Sequence, residues 1–286
     1  MEMINKNLCT DFISGLMLID DKMIDLTITS PPYDDIRTYN NKVKTKKGDE
    51  FSFDFDGIVK ELFRVTKNGG IVVWVVGDQV KNGGETGNSF RQALKFISEG
   101  FILYDTMIYM KNGAPFPEKK RYSQVFEYMF VFSKGKPKTV NIIKDKKNKW
   151  AGHTNFGKRV MRTKDGDLKE MPKFEIAEYG NRYNVWTYST GKNYSTKDHY
   201  AFQHPAIFPE ELAEDHILSW SNEGDIVLDP MVGSGTTVKM AKLNNRKFIG
   251  LDINEEYIKI ANQRVKEIIS YSDENPNPKT KFVVSK

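Results

Sequence analysis

The stretch Asp225-Ile226-Val227-Leu228-Asp229-Pro230-Met231-Val232-Gly233-Ser234-Gly235-Thr236-Thr237 runs from an apolar strand into a glycine-rich turn and out into a helix. Asp225 to Asp229 predicts a strand that Pro230 stops, and Thr236 to about Leu243 predicts a helix. A second strand follows at Lys247-Phe248-Ile249-Gly250-Leu251-Asp252. Asn254 to Ser270 then has Tyr257, Ile260, Ala261, Val265 and Ile268 at helical spacings. Strands alternating with helices predict a doubly wound α/β sheet. In such sheets ligands gather at the carboxyl ends of the strands, where this turn lies.

Outward from that turn, the same alternation recurs. A short strand and helix open the chain, and Met23–Thr29 reads as a strand closed by Ser30-Pro31-Pro32. Residues 34–50 are polar, with charge concentrated from Lys42 to Glu50, and read as a surface loop. Phe53 to Thr66 carries Ile58, Leu62 and Val65 on one helical face, and Asn68-Gly69-Gly70 reads as that helix's end. Ile71 to Val76 is a continuous apolar run, expected of a strand buried on both faces. Ser89 to Glu99 predicts a helix, and Tyr104–Met110 and Phe126–Phe132 predict strands. The pattern is lost from Lys134 to about Gly180 and resumes near Pro209, with Glu210 to Trp220 helical.

The turn's chemistry excludes two phosphate-binding readings. A P-loop needs lysine directly after its last glycine, whereas Thr236-Thr237 follow Gly235 and no lysine appears before Lys239. The dinucleotide fingerprint needs a third glycine where Val238 stands. Asp229 facing the turn would repel a pyrophosphate but suits a ligand with a positive ammonium. Asp252, ending the next strand, can accept hydrogen bonds from ribose hydroxyls. S-adenosylmethionine combines a sulfonium, an ammonium and a ribose without phosphate. The expected cofactor contacts are therefore Asp229, Pro230, Met231, Gly233, Ser234, Gly235, Thr236 and Asp252. A plain strand-turn-helix corner is the bland alternative.

Ser30-Pro31-Pro32-Tyr33 is the second chemical feature. Two prolines fix the backbone and remove two donors, leaving carbonyls held as acceptors. Ser30 adds a hydroxyl and Tyr33 an aromatic face. An exocyclic amine on a base is a weak nucleophile because its lone pair is delocalised into the ring. Acceptors aimed at both its protons localise that lone pair, and an aromatic ring stacks on a base flipped out of the duplex. These four residues are the candidate catalytic set; the alternative is a rigid corner capping a strand.

The chain has 286 residues, enough for one large core plus an insertion. No apolar stretch approaches a bilayer span and no export signal is visible, so a cytoplasmic protein is expected. The single cysteine, Cys9, rules out an internal disulfide framework. Net charge is +5, but Lys134–Lys173 holds thirteen Lys/Arg against four Asp/Glu. Such clustering is expected where phosphates dock, or in a solvated loop. Four scattered histidines and one cysteine give no metal-ligand spacing, so no metal is expected.

The two loops, in this order, resemble the amino-group DNA methyltransferases of bacterial restriction-modification systems, in the permuted class whose catalytic loop precedes the cofactor loop. The likeness extends over nearly the whole chain. Asn7-Leu8-Cys9-Thr10-Asp11 is similar to the segment whose aspartate contacts the cofactor adenine, which implies that role for Asp11. Lys111-Asn112-Gly113-Ala114-Pro115 and Phe126–Lys134 resemble the family's middle blocks, and Gln203–Phe208 the segment completing the cofactor pocket. Met231 departs from the phenylalanine usual there.

The resemblance implies a Rossmann-like S-adenosylmethionine-dependent methyltransferase fold with an inserted target-recognition region. The implied division is 1–134 (catalytic half), 135–200 (recognition insertion), 201–272 (cofactor half) and 273–286 (tail). Double-stranded DNA with its target base flipped out is the implied partner. A cognate endonuclease without a stable complex is also implied, for a bacterial monomer or homodimer. Serine-type loops accompany N4-cytosine transfer, and aspartate-type loops N6-adenine transfer. Ser30 thus favours cytosine N4, with adenine N6 as the alternative and a non-catalytic DNA-binding regulator as the rival from another class. Methylation at cytosine C5 needs a nucleophilic cysteine after proline, which Cys9 is not. In the basic stretch, Arg159, Arg162, Arg182, Asn155 and Asn181 are the types that read base edges. Trp186, Tyr188, Tyr194 and Tyr200 are either stacking platforms or core.

Overall fold

A computed structural model of the chain describes residues 2–31, 54–113, 120–154 and 160–274. Eight strands form one sheet: β1 (Lys6–Cys9), β2 (Ile24–Thr29), β3 (Thr66–Val76), β4 (Ile102–Asn112), β5 (Phe126–Ser133), β6 (Val185–Ser189), β7 (Ile226–Asp229) and β8 (Lys247–Asp252). Their order across the sheet is β1-β8-β7-β2-β3-β5-β4-β6. All neighbours are parallel except at β5, which runs against both β3 and β4. The sheet therefore brings together segments from opposite ends of the sequence: β7 pairs with β2, and β1 with β8.

The helices are α1 (Phe12–Met17), α2 (Phe55–Val65), α3 (Asn88–Ser98), α4 (Glu210–Trp220), α5 (Thr236–Leu243) and α6 (Glu255–Glu274). They cover both faces, and the period of two along β3 sorts the core into two layers. Val72, Trp74 and Val76 pack with Leu16, Ile58, Leu62 and Phe96 from α1, α2 and α3. Ile71, Val73 and Val75 pack with Leu212, Ile217, Val238, Ala241, Ile258 and Ala261 from α4, α5 and α6. That is the doubly wound arrangement, and it explains why β3 reads as an unbroken apolar run.

Three expectations are corrected. The helix ending at Asn68-Gly69-Gly70 stops earlier, at Val65, and those residues join β3. Gly69 has φ +82°, and its N–H donates to the Lys134 carbonyl at 2.6 Å, so a left-handed residue kinks the strand instead of capping the helix. The tail expected from residue 273 starts later, because α6 runs to Glu274. The insertion is narrower than 135–200. The chain divides into Met1–Asn141 with Val185–Lys286, and a second unit, Ile142–Asn184. Asn141 N–H donates to Ser219 O at 2.8 Å, and Trp186 and Tyr188 are buried core residues of β6, so both flanks belong to the first unit. Tyr188 Oη also donates to Asp215 at 2.5 Å.

The second unit carries short antiparallel ribbons, Val160–Arg162 with Leu168–Glu170 and Lys146–Lys147 with Tyr179–Gly180. None of its described residues is buried, and Trp150, Met161, Leu168, Phe174 and Tyr183 are exposed. The loop expected at 34–50, Ala114-Pro115, Asn155, Arg159 and the tail beyond 274 lie outside the described residues. No described helix is long and apolar enough to cross a membrane.

Candidate active site

Four adjacent parallel strands, β1, β8, β7 and β2, deliver the candidate residues to one edge of the sheet. Cys9 lies level with Asp252, and Asp229 with Gly250. Asp11 follows β1, Asp252 ends β8, Asp229 ends β7, and Ser30 follows β2. The structure thus gathers residues from both termini of the sequence at the carboxyl ends of neighbouring strands. Pro32 and Tyr33 lie outside the described residues.

Buried hydrogen bonds join the strand end before the candidate catalytic loop to the candidate cofactor loop. The Thr29 hydroxyl donates to Asp229 Oδ1 at 2.8 Å across 200 residues of sequence, and both residues are buried. The same oxygen accepts the Met231 N–H at 3.1 Å, and Thr237 adds a further hydrogen bond to the carboxylate. Burial raises the Asp229 pKa, and the charge of Asp252 adds to it; those hydrogen bonds oppose the rise, and the balance leaves it pushed up to about 6. Ser30, half-buried, and buried Pro31 continue directly from this anchored strand end.

Asp252 closes the loop from the other side. Its Oδ2 accepts the Gly233 N–H at 2.9 Å and its Oδ1 the Asn254 N–H at 2.8 Å. Burial raises its pKa against the pull of these backbone donors. Asp11 caps α1, with Oδ1 accepting the Ser14 N–H at 2.9 Å.

Two glycines in the loop answer to different constraints. Gly233 has φ +49°, and a Cβ there would lie 2.8 Å from His204 Nε2, so the imidazole sits over the turn. Gly235 has φ +84°, and its Cβ would meet the Ala261 Cα and Cβ at 2.7 Å, so the loop rests directly on α6. The His204 ring also packs edge-on against Tyr257. Met231 packs with the core layer of α1 to α3, and Pro230 is buried. The Ser234 and Thr236 side chains are turned toward Arg264 beneath the loop.

Sequence reasoning missed the support under this loop. Arg264, fully buried on α6, donates to the Ser234 carbonyl at 2.9 Å and to the Thr236 hydroxyl at 3.2 Å. Its remaining donors reach Asp198 at 2.7 Å, Thr196 at 3.2 Å, and Glu210. Lys239 donates to the same Asp198 and Glu210 oxygens at 2.8 and 2.7 Å. Burial alone would raise the Asp198 pKa, but hydrogen bonds from Lys239 and Arg264 hold it below its ordinary value. One signal was available: Arg264 falls one turn after Ile260 and Ala261 on the apolar stripe of α6, where an unpaired charge would be costly.

Among the described residues no group of three His, Cys, Asp or Glu side chains converges as a metal site. His204 and His199 belong to the segment beside the loop, and His216 is buried in the core. There desolvation pushes the His216 pKa down to about 3, and its Nδ1 accepts from Trp220 Nε1 at 3.1 Å.

The family model described as DNA methylase (N6_N4_Mtase) matches residues 24–263, which include both loops. The chain is 57% identical over 252 residues to the orphan methyltransferase M.BamHII of Bacillus amyloliquefaciens, covering 88% of this chain and 92% of that protein. It is 28% identical over 275 residues to the DNA adenine methyltransferase YhdJ of Escherichia coli, covering 92% and 83%. In fold it is similar to the PvuII DNA methyltransferase (cytosine-N4-specific), with TM-score 0.62, 20% identity, and coverage of 94% and 91%. The chain therefore belongs to the DNA methylase family of N4-cytosine and N6-adenine amino-methyltransferases.

Proposed function

We propose that the chain transfers a methyl group from S-adenosylmethionine to the N4 amino group of cytosine in double-stranded DNA. The observation that carries the reading is the Thr29–Asp229 hydrogen bond, which fixes Ser30 beside the glycine-rich loop. The residues present fit the cofactor. Two carboxylates flank the loop, and Gly233 lets the His204 imidazole lie close against its backbone. Lys239 and Arg264 are committed to Asp198 and Glu210, so neither is available to a phosphate. When bound, S-adenosylmethionine supplies an electrophilic methyl group on a sulfonium. Asp229 and Asp252 provide negative charge for its cationic end and acceptors for its ribose, and Asp11 is assigned to its adenine.

The Ser30 hydroxyl and the carbonyls of Ser30 and Pro31 accept the protons of the target amine, localising its lone pair toward the methyl group. Tyr33 is assigned to stacking on the flipped base, and Pro32 carries no N–H that would compete for the acceptors. After transfer the nitrogen loses one proton to water, so no strong general base is required. Serine at position 30 favours cytosine. The relatives include an enzyme described as acting on adenine, which makes adenine N6 the competing outcome.

The second unit, Ile142–Asn184, is assigned to DNA contact. A basic segment without a buried side chain among its described residues gains stability when its charges meet phosphates. Arg162 lies on an exposed ribbon, whereas Arg182 is paired with Asp145. The reading requires DNA and cofactor only. A companion endonuclease belongs to the setting in which such an enzyme protects host DNA, and M.BamHII is itself described as orphan.

The deciding experiment methylates unmodified duplex DNA with the purified chain, digests it to nucleosides and separates them by mass. N4-methylcytosine is expected. N6-methyladenine alone would overturn the base assignment, and the absence of any methylated nucleoside would overturn the activity.

A further inference from the structure

The group under the loop has equal numbers of opposite charges, Arg264 and Lys239 against Asp198 and Glu210, and the two cations are unequal in one respect. Both neutralise the same two carboxylate oxygens. Only Arg264 also grips the loop, through the Ser234 carbonyl at 2.9 Å and the Thr236 hydroxyl at 3.2 Å, on either side of Gly235. Gly235 has φ +84° and no side chain to pack; its own N–H donates to the Val232 carbonyl at 2.8 Å, a bond within the loop that does not tie it to α6. Arg264 supplies hydrogen bonds from α6 to the turn, at the point where the turn packs closely on Ala261.

The same network reaches the loop's other side. Asp198 precedes the short 3-10 helix His199–Gln203, and that helix leads directly to His204, whose ring lies over Gly233. The Asp198 N–H donates to the Thr196 hydroxyl, which in turn donates to Glu210 Oε1. Arg264 therefore touches both the loop and Asp198, the residue that opens the segment leading to His204.

We infer that Arg264 is a positioning residue that sets the glycine-rich loop in its cofactor-binding conformation, with Asp198 relaying the same constraint to His204. Lys239 serves as counter-charge to the carboxylates without holding the loop. The inference rests on the S-adenosylmethionine reading proposed above. A lysine at 264 keeps the charge but lacks the planar fork that reaches two loop oxygens and two carboxylates at once.

The test compares Arg264→Lys, Arg264→Gln and Lys239→Gln by calorimetric titration with S-adenosylmethionine, each scaled to its folded fraction from urea denaturation. Losing two hydrogen bonds from a charged donor is expected to weaken Kd on the order of tenfold or more in both Arg264 variants. Lys239→Gln removes the same unit of charge as Arg264→Gln and should destabilise the fold comparably, with Kd within about threefold of the parent. In turnover, Arg264→Lys should raise KM for the cofactor while leaving kcat at saturation and KM for DNA nearly unchanged. Equal Kd shifts in Arg264→Gln and Lys239→Gln would overturn the inference, as would an unchanged Kd in Arg264→Lys. A parent protein that binds no S-adenosylmethionine would instead overturn the cofactor reading.

Discussion

Thr29→Val removes one hydroxyl at a contact that joins the two loops. Valine has nearly the same shape and suits a buried strand position, so the packing of β2 persists. What disappears is a hydrogen bond to a buried carboxylate. Bonds to charged groups contribute about 1.5–3 kcal/mol, against about 0.5–1.5 kcal/mol between neutral partners. The Asp229 pKa is already pushed up to about 6 by burial. Its folded pKa lies above the unfolded value, so its titration favours the fold at low pH, and that contribution, about 3 kcal/mol, is lost as pH rises from about 4 through about 6. Thr29 offsets part of this loss because it bonds the ionised form. Thr29→Val should therefore cost about 1.5–3 kcal/mol at pH 7.5 and roughly half as much at pH 5, where Asp229 is largely protonated in both proteins. Urea denaturation at the two pH values measures this, followed by fluorescence of Trp74, Trp186 and Trp220, all buried in the first unit. Equal costs at both pH values, or a cost below about 0.5 kcal/mol at pH 7.5, would refute the assignment of this bond to the ionised carboxylate.

Cofactor affinity should follow the same titration with the opposite sense: a cationic ligand favours ionised Asp229, so Kd should weaken about tenfold from pH 7 to pH 5, and Asp229→Asn should bind weakly with that dependence flattened. Gly235→Ala forces a side chain into the left-handed region and onto the Ala261 backbone; a loss of roughly 2–4 kcal/mol in denaturation, with no measurable cofactor binding, is expected. Ser30→Ala should leave cofactor Kd unchanged and lower single-turnover methylation about tenfold to a hundredfold, since its acceptor acts on the amine alone. Neutralising Lys144 and Lys149 in the second unit should reduce the salt dependence of DNA binding by about one unit of log-log slope for each phosphate that a lysine no longer neutralises, without changing cofactor affinity.

The strands nearest the site were legible because each signal was local and strong. Apolar runs ended by Pro230 and by Ser30-Pro31 placed both loops at strand ends, and β7, β8, α4 and α5 fall where periodicity puts them. Gly69-Gly70 misled because a glycine with positive φ serves a strand kink as readily as a helix end, and only the partner at Lys134 distinguishes them. Trp186 and Tyr188 were ambiguous since an aromatic in a polar stretch reads the same whether it stacks on a base or, as here, closes a core. The charged support was not legible as a group: the place of Arg264 on an apolar stripe calls for a counter-charge, but nothing in the sequence identifies Asp198 and Glu210 as the partners it shares with Lys239.

The site arises from strand order, not from sequence order. Had β7 followed β2 directly in the chain, the Thr29–Asp229 bond would close a short loop; instead it closes one of 200 residues. Closure entropy rises only as (3/2)RT ln n, about 0.6 kcal/mol for each doubling, so inserting the whole Ile142–Asn184 unit between the two loops costs a few tenths of a kcal/mol. A segment with no buried side chain among its described residues can thus be carried, lengthened or exchanged with little effect on the sheet. The restriction falls on its flanks. Asn141 is tied to the end of α4 through Ser219, Leu218 and Ser221, and β6 is locked beside β4 with Trp186 and Tyr188 in the core. These anchors hold the sheet in register on either side of the second unit, which carries no buried side chain among its described residues.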